Sequence, residues 1–177
     1  MAVTNATPSS LRGRGPLRGS IGVWGLWGSL VRLKTGAEVV EIPEASTGGP
    51  DLAALQTALT AGAGRPMLGA FSAASNVTGI VTDVAAVTEI LKTHGAKSVW
   101  DYAGGGPYLP IDMGAGMDAV VVSPHKFIGG PGASGVLILR RDAVAVDVPT
   151  LPGGGTVRFV SPWAHDYSAD VVAREEG

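Results

Sequence analysis

The chain has 177 residues, 45% of them hydrophobic, with 27 glycines, no cysteine, three histidines and a formal net charge of -2. That length is enough to bury one domain-sized core. The lack of cysteine excludes disulfides and thiolate metal sites, the dispersed histidines argue against a metal centre, and the charge offers no basic surface for nucleic acid.

Residues 1–20 differ from the rest of the chain. They contain Arg12, Arg14 and Arg18, several Ser and Thr, Pro8 and Pro16, and no acid. Such a stretch reads as a flexible tail, an organelle-targeting segment or a misjoined start. Residues 21–33 are apolar but too short and glycine-rich to span a bilayer, so no membrane partner is expected. Trp24 and Trp27, three positions apart, would share a helical face and are expected to be buried.

From Ala37 onward, short apolar runs alternate with helical patterns, as in parallel crossover units. Val39–Ile42 is a predicted strand. Asp51 opens a helix running to Ala61, with Leu52, Leu55 and Leu59 on one side. Met67–Phe71 is the next strand, and Asp83 caps a helix over 84–93 with Val84, Val87, Ile90 and Leu91 as its core stripe. Gly95 ends it. Two further strands follow at Lys97–Trp100 and Asp118–Val122, the second β-branched as in a strand covered on both faces. Gly135–Leu139 is a further strand, and Val157–Val160 a short one in the tail. The prediction is an α/β fold: three αβα layers around a mostly parallel sheet.

Ligands of open α/β sheets gather at the carboxyl ends of the strands. Polar groups stand at three such ends. Asn76 lies in the turn Ser75-Asn76-Val77-Thr78-Gly79, Asp101 precedes Tyr102-Ala103-Gly104-Gly105-Gly106, and Ser123-Pro124-His125-Lys126 leads into Phe127-Ile128-Gly129-Gly130-Pro131-Gly132. A lysine amine desolvated at such a place is a nucleophile able to form a Schiff base with a carbonyl. A buried aspartate requires a cationic or hydrogen-bonding partner, which a ligand can supply. Taken singly, each residue also fits a plainer role: a solvated lysine, an aspartate opening a turn, an asparagine within one.

Together, Ser75 to Gly79, Asp101 to Ala103, and Ser123-x-His125-Lys126 with its glycine loop and Gly135-Val136-Leu137 resemble the class V aminotransferase and cysteine desulfurase family. These are fold type I enzymes dependent on pyridoxal 5'-phosphate (PLP). The resemblance covers about residues 38–141. It implies that Lys126 forms the Schiff base with the cofactor aldehyde and shuttles the α-proton of a small amino-acid substrate. It further implies that Asp101 pairs with the pyridine nitrogen and that Ala103 packs on a ring face. Ser123 and His125 would hydrogen-bond the phosphate, and Asn76 would lie near the phenolic oxygen and the substrate carboxylate. Thr156, in the loop Gly153-Gly154-Gly155-Thr156, would reach the phosphate of a neighbouring subunit, which implies a homodimer. The plainer reading of that loop is a turn before a strand.

The chain departs from the family pattern where a glutamine often follows the alanine: Gly104 stands there, leaving Asn76 or water to meet the phenolic oxygen. The resemblance also implies a longer protein, of which residues 21–150 would be a partial PLP-binding large domain and residues 151–177 the start of a connection to a small domain. The family's substrate-binding arginine and, in desulfurases, its nucleophilic cysteine would lie beyond residue 177. The expected function is that of a PLP-dependent transferase or lyase. A non-catalytic remnant and a phosphate-ligand binding module are the alternatives. The expected location is cytoplasmic, with an organelle as the alternative raised by the arginine-rich start.

Overall fold

The computed structural model describes residues 2–5, 36–144, 146–149 and 153–176. The chain divides into two compact units, Met1–Ile138 and Leu139–Gly177. In chain order the elements are β1 (Ala2–Asn5), β2 (Val39–Ile42), α1 (Leu52–Ala61), β3 (Leu68–Ser72), α2 (Val84–Thr93), β4 (Lys97–Asp101), β5 (Ala119–Val122), β6 (Val136–Leu139), β7 (Val157–Val160), β8 (His165–Tyr167) and α3 (Val171–Glu176), with short 3-10 turns at Met113–Ala115, Pro124–Lys126 and Arg141–Ala143.

The main sheet has the order β2-β1-β3-β4-β5-β6. The β2–β1, β1–β3, β3–β4 and β4–β5 pairs are all parallel. The predicted α/β fold with a mostly parallel sheet is therefore what forms, and it brings the carboxyl ends of β3, β4 and β5 to one edge.

Both predicted helices begin where side-chain caps place them. Asp51 Oδ1 accepts the amides of Ala53 and Ala54 at 2.9 and 3.0 Å, and Asp83 Oδ1 accepts that of Ala86 at 2.9 Å. Gly95, at φ +69°, turns the chain out of α2.

Helix α2 lies close on the sheet because β3 carries a glycine. A Cβ at Gly69 would meet Leu91 Cδ2 at 2.5 Å. Leu55, Leu59, Val87 and Leu91 join Phe71, Trp100 and Val120 in one core, each 1% exposed or less. Full burial of each such side chain contributes about 1.5–3 kcal/mol. Trp100 stacks at a tilt on Phe71, with ring centroids 5.9 Å apart, and its indole N–H donates to Thr88 Oγ1 at 3.0 Å. At the opposite edge of the sheet from the predicted site, Asp118 ties β5 to β4: its carboxylate accepts Lys97 Nζ and the Ser98 amide, both at 2.9 Å.

Two findings differ from the sequence reading. Residues 2–5 form a strand between β2 and β3, inside the segment taken as flexible or targeting-like, because backbone pairing outweighs composition there. Residues 6–20, with Trp24 and Trp27, lie outside the described residues. Val121 is 37% exposed, so β5 is not covered on both faces along its whole length.

In the second unit, β7 and β8 form an antiparallel hairpin whose turn is closed by the Ser161 amide donating to Ala164 O at 2.7 Å. Arg174 is buried, and its guanidinium donates to Val146 O at 3.0 Å and Ser168 O at 3.2 Å. Two carbonyls thereby satisfy a cation that burial would otherwise penalise.

Candidate functional site

The parallel register aligns the three strand ends. Ser72 pairs with Asp101, and Asp101 with Val121. The ladder continues past the strands, because the Ala73 amide donates to Asp101 O at 2.9 Å and the Tyr102 amide to Val121 O at 2.8 Å. Three loops thus leave the same edge at one level.

The first loop holds Asn76. Ser75 organises it: its hydroxyl oxygen accepts the amides of Val77 and Thr78 at 3.3 and 3.1 Å, and the Gly79 amide donates to Ser75 O at 2.9 Å. Gly79 sits at φ +74°, in the left-handed region that glycine enters without penalty. Asn76 itself is exposed.

The second loop begins at Asp101, which is half-buried. Its Oδ1 accepts the Ala103 amide at 2.6 Å, and its other oxygen has no partner among the described residues. Ala103 is half-buried beside it. Tyr102 is 2% exposed, and burial pushes its phenol above the usual tyrosine range. The Tyr102 hydroxyl makes no hydrogen bond to a described residue, which is uncommon for a buried tyrosine.

The third loop is a tight 3-10 turn. The Lys126 amide donates to Ser123 O at 3.0 Å, the Phe127 amide to Pro124 O at 3.0 Å, and the Gly130 amide to Phe127 O at 3.0 Å. A Cβ at Gly130 would overlap the Pro124 carbonyl oxygen, so only glycine allows the loop to fold back on itself. Ser123 is half-buried, and His125 and Lys126 are exposed. Every residue from His125 to Gly129, Lys126 among them, is exposed to solvent.

The glycines after Ala103 join the loops. A Cβ at Gly104 would lie 3.6 Å from Asn76 Cβ, one at Gly105 3.5 Å from Ala74 Cβ, and one at Gly106 3.3 Å from Phe127 Cε2. The middle loop therefore runs close to both of its neighbours. Sequence reasoning took these glycines as a turn, a departure from the family's glutamine at Gly104, or part of a phosphate-binding loop. Their linking role depends on which loops the sheet order makes adjacent.

Around this junction, the side chains of Asn76, Ser123, His125 and Lys126 have no hydrogen-bond or ion-pair partner among the described residues. Together they offer donors for anionic oxygens and one amine, with a carboxylate oxygen free at Asp101. No cluster of His, Cys, Asp and Glu suited to a metal ion occurs among the described residues.

Thr156 belongs to the second unit and is 2% exposed. Its hydroxyl donates to Gly153 O at 2.7 Å and accepts the Gly153 amide at 3.1 Å. The hydroxyl thus makes two hydrogen bonds within its own turn.

Comparison with known proteins agrees with the resemblance. Residues 22–176 match the family model for aminotransferase class V. The chain is 32% identical over 137 residues to an IscS-like cysteine desulfurase of Mycobacterium tuberculosis, a match covering 77% of this chain and 34% of the relative. It is 45% identical over 87 residues to a probable cysteine desulfurase of Aeropyrum pernix, covering 49% of this chain and 21% of that relative. Among solved structures, the cysteine desulfurase CsdA of Escherichia coli superposes with a TM-score of 0.69 at 29% identity, over 79% of this chain and 34% of that one. The apo cysteine desulfurase of Thermococcus onnurineus gives a TM-score of 0.77 over 99% of this chain and 40% of that one, and at 23% identity shows the common fold. The chain spans about a fifth to a third of the length of these curated relatives. Its match to the family model over most of its length makes it a member of the aminotransferase class V family.

Proposed function

We propose that residues 72–130 carry a PLP site of a transferase or lyase acting on a small amino acid. The observation that carries this reading is the set of unpartnered polar side chains, Asn76, Ser123, His125 and Lys126 with one oxygen of Asp101, on three loops at one sheet edge, the middle loop close to each of the other two.

The residues fit the cofactor's chemistry. Bound PLP supplies an electron sink for bonds at the α-carbon of an amino acid. Lys126 would be the amine that holds the cofactor, and its Nζ could hold or release a proton beside a bound amino acid. Asp101 would hold the cofactor's pyridine nitrogen, with its Oδ1 already oriented by the Ala103 amide. Ala103 is small enough to lie against a ring face. Ser123 and His125 donate hydrogen bonds to phosphate oxygens. Asn76 has an amide that can donate to the phenolic oxygen or to the substrate carboxylate. The relatives are named as cysteine desulfurases, so cysteine is the first amino acid to test.

A second reading is a chain that keeps the site but does not turn over in isolation. It is favoured by the exposure of Lys126 and its loop, since water-free sites strengthen such electrostatics.

PLP added to the purified chain, followed by visible absorbance and then borohydride reduction, tests the reading. The expected result is an absorbance band and a pyridoxyl mass on the peptide carrying Lys126, both lost in Lys126→Ala. A parent chain that behaves like Lys126→Ala refutes covalent capture. Reversible binding equal in both proteins points instead to a phosphate-ligand module.

A further inference from the structure

A fourth loop leaves the same edge of the sheet. Strand β2 is parallel to β1, and β1 to β3, so residues 43–50 run out at the edge that also carries Asn76. This loop is closed by its own backbone: the Asp51 amide donates to Pro43 O, the Ala45 amide to Gly49 O and the Gly48 amide to Ala45 O, each at 2.9 Å. Ile80 lies against it. A Cβ at Gly48 would come 2.7 Å from Ile80 Cδ1 and 3.0 Å from Ile80 Cγ2, so the half-buried Ile80 side chain sits close over the Gly48 backbone. The Ile80 backbone in turn closes the Asn76 turn, its carbonyl accepting the Ser75 amide at 2.9 Å and its amide donating to Thr78 Oγ1 at 3.3 Å. Ile80 is not part of the core around Phe71 and Trp100.

We propose that Ile80 is a positioning residue of the site: seated on the closed 43–50 loop at Gly48, it fixes the turn 75–79 from the β2 side of the sheet. The proposal rests on the cofactor reading above and deepens it by naming a residue that acts through the turn rather than on the ligand. With the contact in place, the turn is ordered before anything binds. Without it, binding has to order the turn, and that cost is subtracted from the affinity. Two changes remove the same contact: truncating Ile80 empties it, and a methyl group at Gly48 displaces the Ile80 side chain.

The test uses the full chain with Ile80→Ala, Ile80→Val, Gly48→Ala and Gly49→Ala, each followed by hydrogen exchange of the 75–80 segment without ligand, thermal melting and PLP titration in the visible range. Gly48 and Gly49 both have left-handed backbones, at φ +86° and +75°, but a Cβ at Gly49 would meet nothing within 4 Å. The two alanine variants therefore share the backbone strain and differ in the contact with Ile80. Ile80→Ala and Gly48→Ala are expected to exchange faster across 75–80 and to need roughly tenfold more PLP for half-saturation, the equivalent of ordering one side chain on binding. At saturating PLP, borohydride should still leave a pyridoxyl mass on their Lys126 peptide. Ile80→Val, which keeps Cγ2, and Gly49→Ala should bind PLP like the parent, even where Gly49→Ala melts lower. Parent-like exchange in Ile80→Ala, or an equal loss of affinity in Gly48→Ala and Gly49→Ala, would overturn the proposal. If the parent captures no PLP and matches Lys126→Ala, the cofactor reading fails and this proposal with it. Normal capture by the parent with unchanged affinity in Ile80→Ala sinks this proposal alone.

Discussion

Gly106→Ala tests whether the loop junction holds the candidate site together. The new Cβ would stand 2.8 Å from the Tyr102 carbonyl oxygen and 3.3 Å from both Phe127 Cε2 and Val122 Cγ1. The first contact is with backbone, so it cannot be relieved by a rotamer change. The same carbonyl accepts the Gly106 amide at 2.7 Å, so moving it weakens the turn. Leaving that pair unsatisfied costs about 1–3 kcal/mol, and crowding Phe127 and Val122 adds about 1–3 kcal/mol if they cannot yield. Because relieving one strain partly relieves the other, the expected loss is about 2–4 kcal/mol. For a protein of this size that corresponds to a fall in melting temperature of roughly 6–12 °C. Urea denaturation of parent, Gly106→Ala and Gly104→Ala supplies the comparison. Gly104→Ala, whose Cβ would make only ordinary contacts, should stay within about 1 kcal/mol of the parent. A Gly106→Ala midpoint within error of that control would falsify the assignment of Gly106 as a steric junction.

Three other outcomes are expected from the packing. Thr88→Val keeps the shape of the side chain but leaves the buried Trp100 indole N–H without its 3.0 Å acceptor, so a loss of about 1–3 kcal/mol is expected in the urea midpoint, while Thr88→Ser should retain most of the stability. Burial raises the Tyr102 phenol above the usual tyrosine range, so its contribution to stability is complete below about pH 10, where an unfolded tyrosine starts to ionise, and is lost as pH rises through the folded value. Tyr102→Phe should flatten that alkaline decline and otherwise change stability little, since its hydroxyl has no described partner; an unaltered decline would remove Tyr102 as its source. On β6, at the end of the sheet order, Leu137 is 61% exposed, so Leu137→Lys should raise the monomer fraction in size-exclusion chromatography without lowering the melting temperature, and an unchanged elution profile would clear this strand of a role in self-association.

Much of the architecture was legible because it depends on local chemistry. Asp51 and Asp83 mark helix starts through carboxylates that accept the first free amides, and Gly95 marks a stop through its positive φ. The β-branched run at 119–122 and the apolar run ending at Phe71 are strands because little else suits such residues at that length. The candidate site was legible as three polar strand ends, since a parallel sheet delivers every such end to one edge. Ser75 could also have been found: a hydroxyl two and three residues before free amides is the pattern of a local turn.

What the sequence by itself determined was the identity of the chemical groups and the segments that carry them: the Lys126 amine, the Asp101 carboxylate and the Asn76 amide at the ends of predicted strands, and enough of a motif to resemble a family. Only the tertiary structure decided which of these groups meet, because adjacency between strands depends on sheet order and register. That order set Ser72, Asp101 and Val121 side by side and inserted Ala2–Asn5 between β2 and β3, a placement that four residues of ordinary composition do not announce. It also separated three glycines that look alike in the sequence: a Cβ at Gly106 would meet the Tyr102 carbonyl oxygen and one at Gly105 the end of the Leu109 side chain, whereas one at Gly104 would make only ordinary contacts. Thr156 shows the same dependence, since its hydroxyl was available to a ligand in the sequence and is closed into its own turn in the fold.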